Sequence, residues 1–482
     1  MASRAQRRPG LHSRRARKTG DGAMATLRSS FRDKDVDVMV RVLFCLALLF
    51  VQPVASAETA WNGTSSHSRV VGSGDVRDPA GARLSLSSSE AGKEGFFGAI
   101  TSLDAAPYRG RDVVLSGMLG VEEGTGNGAL WLRGDQSGRV LVFDTTRATP
   151  VTLADGEQER QLRLYIPLAT TSLKFGATMT GVGRIHAASL RLHAEPPAAG
   201  NVSAYQVLDA AISHIESRAL NRSRVDWNTE RAQLLTDDLK GLPAGEAYPK
   251  VRAALAKLGD RHSLLRTRNQ AAQDRSTAIA SEPLMANASD DVGYVRVPGL
   301  RGTDRQATRR FAADLCQRIE AMAGKVSMGM IVDLRANTGG NMWPMVSGLF
   351  PLLGGGPIGS FRDADGNISP WTERAAEGCE VDMTMTPVAV LIGPRTGSSG
   401  EAVATAFKGR PWTRFFGQPT AGVATGNVRI PLPDGSVLGL TQSSFLDRTG
   451  ELIPGRLTPD VGVEEGQDAI ALARAWLRSA PG

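Results

Sequence analysis

The chain has 482 residues and an ordinary apolar content of 41%, which is enough for two or three globular domains. Its formal net charge of +7 arises in the Arg-rich stretch before residue 58, and the rest of the chain is nearly balanced. Because no basic stripe with interleaved aromatic residues occurs, nucleic-acid binding is not expected. The three cysteines lack the spacing of a metal site, and neither a metal nor an organic cofactor is expected.

Residues 1–57 have the pattern of an export signal. Arg41 precedes an apolar run at 42–51, which is short for a bilayer span. Pro53 ends the run, and the sequence ASA at 55–57 has the small-x-small pattern that signal peptidase cleaves. We therefore predict an exported protein, periplasmic or extracellular. An uncleaved membrane anchor at the N-terminus is the alternative.

The region after the signal changes character twice. Residues 58–84 are rich in Ser and Gly, and their composition predicts a linker. Over 85–195, short runs of alternating apolar and polar residues are separated by Gly, Asp and Asn, which predicts an all-β sandwich. The sandwich resembles jelly-roll domains that commonly bind carbohydrate, so a glycan or envelope contact is one hypothesis. Trp131 would be its stacking platform, although we favour a core position for this side chain.

A helical region follows over 204–270. Three stretches with apolar residues at helical spacing predict helices, and the third runs into the sequence LGDRHS at 258–263. His262 therefore lies just past a Gly-Asp turn, where its ring would project into a cleft. Since a histidine in a turn usually has no chemical role, His262 is a candidate only in combination with other residues.

Strands and helices alternate over 288–470, which predicts α/β layering. One apolar strand ends in the glycine pair Gly339–Gly340. Glycine lets backbone amides approach a ligand closely because it has no Cβ and tolerates unusual φ angles. The Lys-Ser/Thr of a phosphate-binding loop does not follow, so an oxyanion hole is the favoured interpretation.

The segment 387–400, PVAVLIGPRTGSSG, combines a continuous apolar strand, a glycine turn and two serines before a helix. Such a strand–turn–helix connection exposes a hydroxyl at the edge of a sheet, beside the amides of a helix N-terminus. The alternative is that Ser398 or Ser399 only caps the helix.

Together these motifs resemble the tail-specific, or C-terminal-processing, serine peptidases, a family that also includes the tricorn core protease. The resemblance spans about residues 204–465 and rests on motifs in one order: LGDRHS (258–263), IVDLRANTGG (331–340), PVAVLIGPRTGSSGE (387–401), GQPTAG (417–422), and LPDGS (432–436) followed by PD (459–460). It implies a ClpP/crotonase-like core that hydrolyses peptide bonds. The nucleophile would be Ser398, with oxyanion amides from Ser399 and from Gly339 or Gly340.

Two departures from the family pattern bear on mechanism. The segment 420–427, TAGVATGN, lacks the lysine that many members use as base, so the resemblance points to the tricorn-like branch with His262 as base. The residue that orients the histidine stays open among Glu451, Asp260 and Asn427. The spacer over 266–290, polar and alanine-rich, is too short for the PDZ domain of tail-specific members.

The sequence thus predicts an exported serine endopeptidase acting on proteins or peptides. Two alternatives remain open. One is a family member that has lost catalysis and binds peptides or apolar ligands, and the other is an envelope- or carbohydrate-binding protein. The oligomeric state and the pairing of Cys316 with Cys379, which an oxidising compartment would permit, stay undecided.

Overall fold

The computed structural model describes residues 58–88, 97–197, 200–275, 279–280, 282–302, 304–372 and 375–480. The predicted export signal at 1–57 lies outside the described residues. All described residues belong to one compact unit of the chain. Within these ranges, no helix combines the length and the apolar character that crossing a bilayer requires.

The N-terminal region consists of two antiparallel sheets that share a core. One sheet has the strand order β1-β4-β10-β6-β7, with β8 paired to β6, and the other has the order β2-β3-β11-β5-β9. Inward side chains from both sheets, such as Leu130 and Phe175 on one and Leu86 and Leu115 on the other, are fully buried together. The strands are β1 Asn62–Gly63, β2 Ser68–Ser73, β3 Ala82–Ser88, β4 Phe97–Asp104, β5 Arg111–Gly124, β6 Asn127–Gln136, β7 Arg139–Thr145, β8 Val151–Thr152, β9 Gln158–Ile166, β10 Ser172–Thr180 and β11 Gly183–Glu195.

The linker expected over 58–84 is wrong, because β1, β2 and the first part of β3 lie there. β2 pairs with β3 over six residues, from Ser68 opposite Ser88 to Ser73 opposite Arg83. Ladder hydrogen bonds join backbone groups, so a Ser/Gly-rich segment can pair as well as an apolar one. Composition alone therefore placed the start of the domain too late. Trp131 is buried, with 3% of its surface exposed, and is a core residue.

Three helices form the next region and pack on a sheet of the C-terminal region. They are α1 Ala204–Arg218, α2 Trp227–Leu234 and α3 Ala247–Lys257. The Ser203 side chain accepts a hydrogen bond from Gln206 N and caps α1. Apolar side chains of α1 and α3, among them Ile212 and Val251, share a core with Leu438 and Leu440. This packing places the turn that carries His262 against the C-terminal region.

The C-terminal region is built on a six-stranded sheet with the order β14-β15-β17-β20-β21-β24. From β15 to β24 every pair is parallel, and only β14 pairs antiparallel. A second sheet has the order β12-β23-β18-β19, with β22 paired to β23, and a short sheet joins β13 to β16. The strands are β12 Leu264–Arg266, β13 Ile279–Ala280, β14 Met285–Ser289, β15 Val292–Arg296, β16 Leu300–Arg301, β17 Gly329–Asp333, β18 Ser360–Asp363, β19 Ile368–Pro370, β20 Val388–Ile392, β21 Thr413–Gly417, β22 Thr425–Pro431, β23 Val437–Leu446 and β24 Val461–Gly462.

Helices cover the six-stranded sheet on both faces. Val332 and Val390 share a core with α5, α6 and α8, whereas Ile331 and Leu391 share another with α9. β17 and β20 are buried throughout, which matches the continuous apolar sequence of β20 and the apolar run of β17 that ends at Asp333. The helices are α4 Arg268–Arg275, α5 Arg305–Ala323, α6 Met342–Gly348, α7 Phe350–Leu353, α8 Ser399–Phe407 and α9 Ala469–Ser479.

Two boundaries differ from the sequence expectation. The spacer over 266–290 contains α4, β13 and β14, and the last helix of the core runs to Ser479 rather than ending near 470. The elements of the spacer are short and polar and pair mainly through their backbones, whereas the last helix continues because Ala473 and Leu477 pack in the core beside Ile331 and Leu391. The mixed α/β content of the region agrees with the prediction.

Cys316 on α5 and Cys379 on the connection between β19 and β20 form a disulfide, with 5.9 Å between their Cα atoms. The pairing was left open by the sequence. The disulfide links α5, which packs against the sheet, to the segment that leads into β20. Cys316 is almost fully buried, with 1% of its surface exposed.

We expect the double variant Cys316→Ser/Cys379→Ser to lose about 4 kcal/mol of unfolding free energy, because the crosslink no longer restricts the unfolded chain. The two residues are separated by 63 positions, which makes the closed loop long. Urea denaturation of the oxidised protein measures the difference. Reductant should lower wild type to the level of the variant and leave the variant unchanged. A loss below about 1 kcal/mol would contradict the prediction.

Candidate active site

Ser398 lies in a strained turn between β20 and α8. Its φ is 52° and its ψ is −116°, a conformation that residues with a Cβ rarely adopt. Neighbouring backbone bonds hold the turn, since Gly397 N donates to Asn337 O at 3.0 Å and Thr396 N donates to Gly393 O at 2.8 Å. A strained conformation persists only where its surroundings determine it, and such residues cluster at functional sites.

The buried carboxylate of Glu401 connects this turn to a second segment of the chain. Its Oε2 accepts hydrogen bonds from Ser398 N at 2.9 Å and Val423 N at 3.0 Å. Its Oε1 accepts from Thr420 Oγ1 at 2.5 Å and Gly422 N at 2.9 Å. Burial raises the pKa of Glu401, and these hydrogen bonds act in the opposite direction. Glu401 therefore fixes the position of the serine turn relative to the segment after β21.

The Gly339–Gly340 turn lies directly against the two serines. Both glycines have positive φ angles, 100° and 122°. A Cβ on Gly339 would lie 2.9 Å from Ser398 Cβ and 3.1 Å from Ser399 N, so the backbones can approach only because the residue is glycine. Ser399 Oγ also donates to Gly340 O at 2.6 Å.

Two amides at this turn point to no acceptor within the part of the chain that the structure describes, namely those of Gly340 and Ser399. The amide of Gly339 differs, because it donates to Asn337 Oδ1 at 3.0 Å. Asn337 is fully buried, and its side chain holds the glycine turn through this hydrogen bond. Of the two alternatives for a glycine amide, Gly340 is therefore the one whose N–H has no acceptor among the described residues.

His262 approaches from the helical region and is held by its backbone. Asp260 Oδ1 accepts hydrogen bonds from His262 N at 2.9 Å and Ser263 N at 2.6 Å. The imidazole Nδ1 lies 2.7 Å from Thr425 Oγ1. Burial lowers the pKa of His262, and the charge of Asp260 acts in the opposite direction. Burial therefore favours the neutral form of the ring.

None of the three residues proposed to orient the histidine contacts its imidazole. Asn427 Nδ2 donates to the backbone carbonyl of His262 at 2.8 Å, and Asp260 binds the backbone amide. Glu451 is exposed in a turn, where its N donates to Asp447 Oδ1 at 3.1 Å. The imidazole partner is Thr425, which sequence reasoning missed. The available signal was its place in the 420–427 segment, which already departs from the family pattern.

The same short segment is linked to Ser398 through Glu401 and contacts His262 directly. Val423 N donates to Glu401, whose carboxylate also accepts Ser398 N, and Thr425 binds His262 two positions later. Two residues span at most about 7 Å of extended chain, so one short stretch contacts both the carboxylate that holds the serine turn and the imidazole of His262. No hydrogen bond joins Ser398 Oγ to His262 in the described residues.

Two aromatic side chains lie near the strand that begins at Thr425. Trp343, near the start of α6, has 37% of its surface exposed and packs edge-on against Phe361 with 6.5 Å between ring centroids. A Cβ on Gly426 would lie 2.9 Å from Phe361 Cε1, so this ring borders the strand that begins at Thr425. The aromatic pair thus bridges the glycine turn and the neighbour of His262.

Residues 291–463 match the model of peptidase family S41. The chain carries an S41 peptidase domain. The matched range includes the serine turn, the glycine turn and Thr425, whereas His262 precedes it. Family S41 comprises serine-type peptidases, including the carboxyl-terminal-processing peptidases, so this domain is of the serine-peptidase type, whose substrates are proteins or peptides.

The chain is also similar to individual proteins. The nisin-resistance protein of Lactococcus lactis subsp. lactis is 28% identical over 281 residues, which is 56% of this chain and 85% of that protein. The chloroplastic carboxyl-terminal-processing peptidase 2 of Arabidopsis thaliana is 26% identical over 163 residues, 34% of this chain and 30% of the relative. A solved lipoprotein from Streptococcus agalactiae shares the fold with a TM-score of 0.51 and 25% identity, covering 58% of this chain and 98% of that one.

Proposed function

We propose that the protein is an exported serine endopeptidase in which Ser398 is the nucleophile and His262 the general base. The arrangement of the 420–427 segment carries this proposal, because its amides bind the carboxylate that positions Ser398 while Thr425 binds the imidazole. A serine hydroxyl needs a base to accept its proton, and a neutral imidazole serves near pH 7.

The geometry supports a two-step acyl transfer. When Nδ1–H of His262 donates to Thr425 Oγ1, the lone pair of Nε2 is free to accept the Ser398 proton. Ser398 Oγ then bonds to the scissile carbonyl carbon, and the carbonyl electron pair moves onto its oxygen. As the intermediate collapses, the C–N bond breaks and His262 returns the proton to the amine leaving group. Water, deprotonated by His262, hydrolyses the acyl-enzyme in the same way.

We assign the oxyanion hole to the amides of Ser399 and Gly340. Both N–H groups lack an acceptor in the described ranges, and the two residues are in contact through Ser399 Oγ and Gly340 O. Preorganised amides stabilise the developing negative charge without reorganising during the reaction. Gly339 instead provides the close approach of the two turns.

The finer architecture belongs to the same proposal. We infer a jelly-roll-like sandwich for the N-terminal sheets and a ClpP/crotonase-like arrangement for the C-terminal region, without a PDZ domain between β12 and β15. Similarity to a nisin-resistance protein and to a lipoprotein supports a location in the cell envelope, in keeping with the export signal predicted at 1–57. A glycan contact through the N-terminal sheets remains a hypothesis.

The second candidate is a binding protein that has lost catalysis. The observation that favours it is the neutral hydroxyl at Nδ1 of His262, because a carboxylate there would stabilise the protonated imidazole more strongly. Such a protein would hold peptides beside Trp343 and Phe361 without cleaving them.

A fluorophosphonate probe distinguishes the two candidates. We expect the protein comprising residues 58–482 to form one covalent adduct per chain, which peptide mapping locates on Ser398. We expect the same protein to hydrolyse casein. The probe reports an activated serine independently of substrate preference. A folded protein that neither reacts with the probe nor cleaves casein would overturn the peptidase proposal in favour of binding.

The pH profile tests the roles of His262 and Thr425. Burial disfavours the charged imidazole, so the pKa of His262 lies below its ordinary value of 6.5. The active base is the neutral form, and we therefore expect kcat/KM to rise with pH through this lowered pKa and to be lost as pH falls through it.

Thr425→Val removes the Nδ1 partner and should lower kcat by about 10-fold to 100-fold.

Conservative variants of Thr425 distinguish a role in positioning the imidazole of His262 from a role in folding. Thr425→Ser keeps the hydroxyl and should restore most of the rate, whereas Thr425→Asp should move the pH midpoint upward because a carboxylate stabilises the imidazolium. An unchanged midpoint in the aspartate variant would contradict a direct contact with Nδ1.

A further inference from the structure

The segment that carries His262, residues 246–270, is attached at its first residue to the N-terminal sheets. Glu246 directly precedes α3, and its Oε1 accepts hydrogen bonds from Tyr165 Oη at 2.9 Å and from Leu168 N at 2.8 Å. The Tyr165 side chain is buried in this contact. Because a buried donor that loses its acceptor is costly, the contact fixes the start of α3 relative to β9.

The other end of the segment is attached to the same sheets. Asn269 Nδ2 donates to Arg163 O on β9 at 3.0 Å, and Gln270 Nε2 donates to Phe143 O on β7 at 3.3 Å. Both acceptors are backbone carbonyls, so these bonds specify a position on the strands rather than a side-chain type. His262 therefore lies between two attachments to the N-terminal sheets.

A third contact joins the middle of α3 to β7. Arg252 donates to Leu141 O at 3.2 Å. Burial lowers the pKa of Arg252, and Tyr248 and Asp144 act in the opposite direction. Burial likewise raises the pKa of Asp144, on the facing strand. Because burying a charge is costly unless it is paired and hydrogen-bonded, these groups favour one position of α3 on the sheets.

Helix α3 connects the first attachment to the turn of His262. It runs from Ala247, directly after Glu246, to Lys257, and β12 begins two residues after His262. Its other face packs through apolar side chains, and such contacts are non-directional. The hydrogen bonds to the sheets instead specify where the helix lies along its axis. Since a misplacement of about 1 Å can cost about 100-fold in rate, this position matters for a catalytic group.

We propose that the N-terminal sheets position the general base, because their contacts at both ends of residues 246–270 set where the imidazole of His262 lies relative to Ser398. The inference rests on the proposed peptidase function. It assigns positioning residues to that function, Glu246 and Asn269, which act through His262 rather than on the substrate. It also gives the N-terminal sheets a role in the reaction that requires no ligand of their own.

Substitution of the two attachments tests the proposal. In the protein comprising residues 58–482, Glu246→Ala and Asn269→Ala should each lower kcat by about 10-fold to 100-fold with little change in KM, because the base moves while the substrate contacts stay. Glu246→Gln keeps an oxygen that accepts from Tyr165 and Leu168 and should restore most of the rate. This variant distinguishes the hydrogen bonds from the charge of Glu246.

Two buried tyrosines of the N-terminal region provide a matched control. Tyr165 and Tyr108 each have 7% of their surface exposed. Tyr165 contacts the segment through Glu246, whereas Tyr108 lies in the turn between β4 and β5. We expect Tyr165→Phe to lower kcat by about 3-fold to 10-fold and Tyr108→Phe to leave kcat within about 2-fold of wild type.

Titration of His262 provides a measurement that does not depend on turnover. In Ser398→Ala protein with labelled histidine Cε1, NMR follows the resonance that His262→Gln removes. Burial lowers the pKa of His262, and the charge of Asp260 acts in the opposite direction. Glu246→Ala leaves Asp260 in place, so a loosened segment that admits water should raise the pKa toward its ordinary value of 6.5.

The outcomes distinguish the positioning role from the peptidase function. Unchanged kcat and an unchanged titration midpoint in Glu246→Ala and Asn269→Ala overturn the positioning role while leaving the peptidase function standing. A loss of unfolding free energy without either change also overturns it, because the contacts are then only structural. Equal losses of kcat in Tyr108→Phe and Tyr165→Phe do the same. If wild type cleaves no peptide and does not react with fluorophosphonate, the peptidase proposal itself fails, and the titration midpoint alone decides whether the sheets hold His262.

Discussion

Ser398→Ala is expected to lower kcat/KM for peptide hydrolysis by at least about 10³-fold and to abolish labelling by fluorophosphonate. The substitution removes the only oxygen that the mechanism uses as nucleophile. The turn itself should survive, since the contacts that hold it are made by backbone groups and by Glu401. Unfolding free energy should therefore change by less than about 1 kcal/mol.

The adjacent serine supplies a matched control. Ser399→Ala removes one hydroxyl that donates to Gly340 O but keeps the amide assigned to the oxyanion hole. We expect a loss below about 10-fold, because a single exposed hydrogen bond contributes little. If Ser399→Ala were inert and Ser398→Ala active, the nucleophile would be Ser399. Equal activity of both variants and wild type would exclude a serine mechanism at this turn.

Glu401→Ala is expected to cost about 4 kcal/mol of unfolding free energy and at least about 100-fold in kcat/KM. The side chain is fully buried, with 0% of its surface exposed. Its removal leaves the amides of Ser398, Gly422 and Val423 and the hydroxyl of Thr420 without their acceptor. The serine turn would also lose its connection to the segment that carries Thr425, which misplaces the nucleophile relative to the base.

Glu401→Gln should lower the unfolding free energy by less than Glu401→Ala does, for a geometric reason. Each carboxylate oxygen accepts a backbone amide, so the NH2 group of glutamine must face an N–H whichever way it is turned. We expect a loss of about 2 kcal/mol. Glu320→Ala, at an exposed position on α5, should stay within about 0.5 kcal/mol of wild type in the same urea titrations. Equal stability of Glu401→Ala and Glu320→Ala would show that the carboxylate does not hold the site.

The sequence predicted those parts of the candidate site that are local. β20 is a continuous apolar run followed by glycines and serines, and the turn it forms depends on residues close together in the chain. The glycine pair at 339–340 is also a local feature, because residues with a Cβ rarely adopt its positive φ angles. Short polar strands were not predicted, since β2 and β14 are recognised by their backbone pairing rather than by an apolar pattern.

By itself, the sequence determined the mixed α/β content of the C-terminal region, the family motifs, and the identity of Ser398 and His262 as candidates. Only the tertiary structure decided that Thr425 contacts the imidazole across 163 positions, and that Gly339 N donates to Asn337 whereas Gly340 N has no acceptor among the described residues. It also decided that Cys316 and Cys379 are paired. The physical reason is that periodicity and turn chemistry describe neighbours along the chain. Contacts between distant side chains follow from sheet register and packing, which no local pattern specifies.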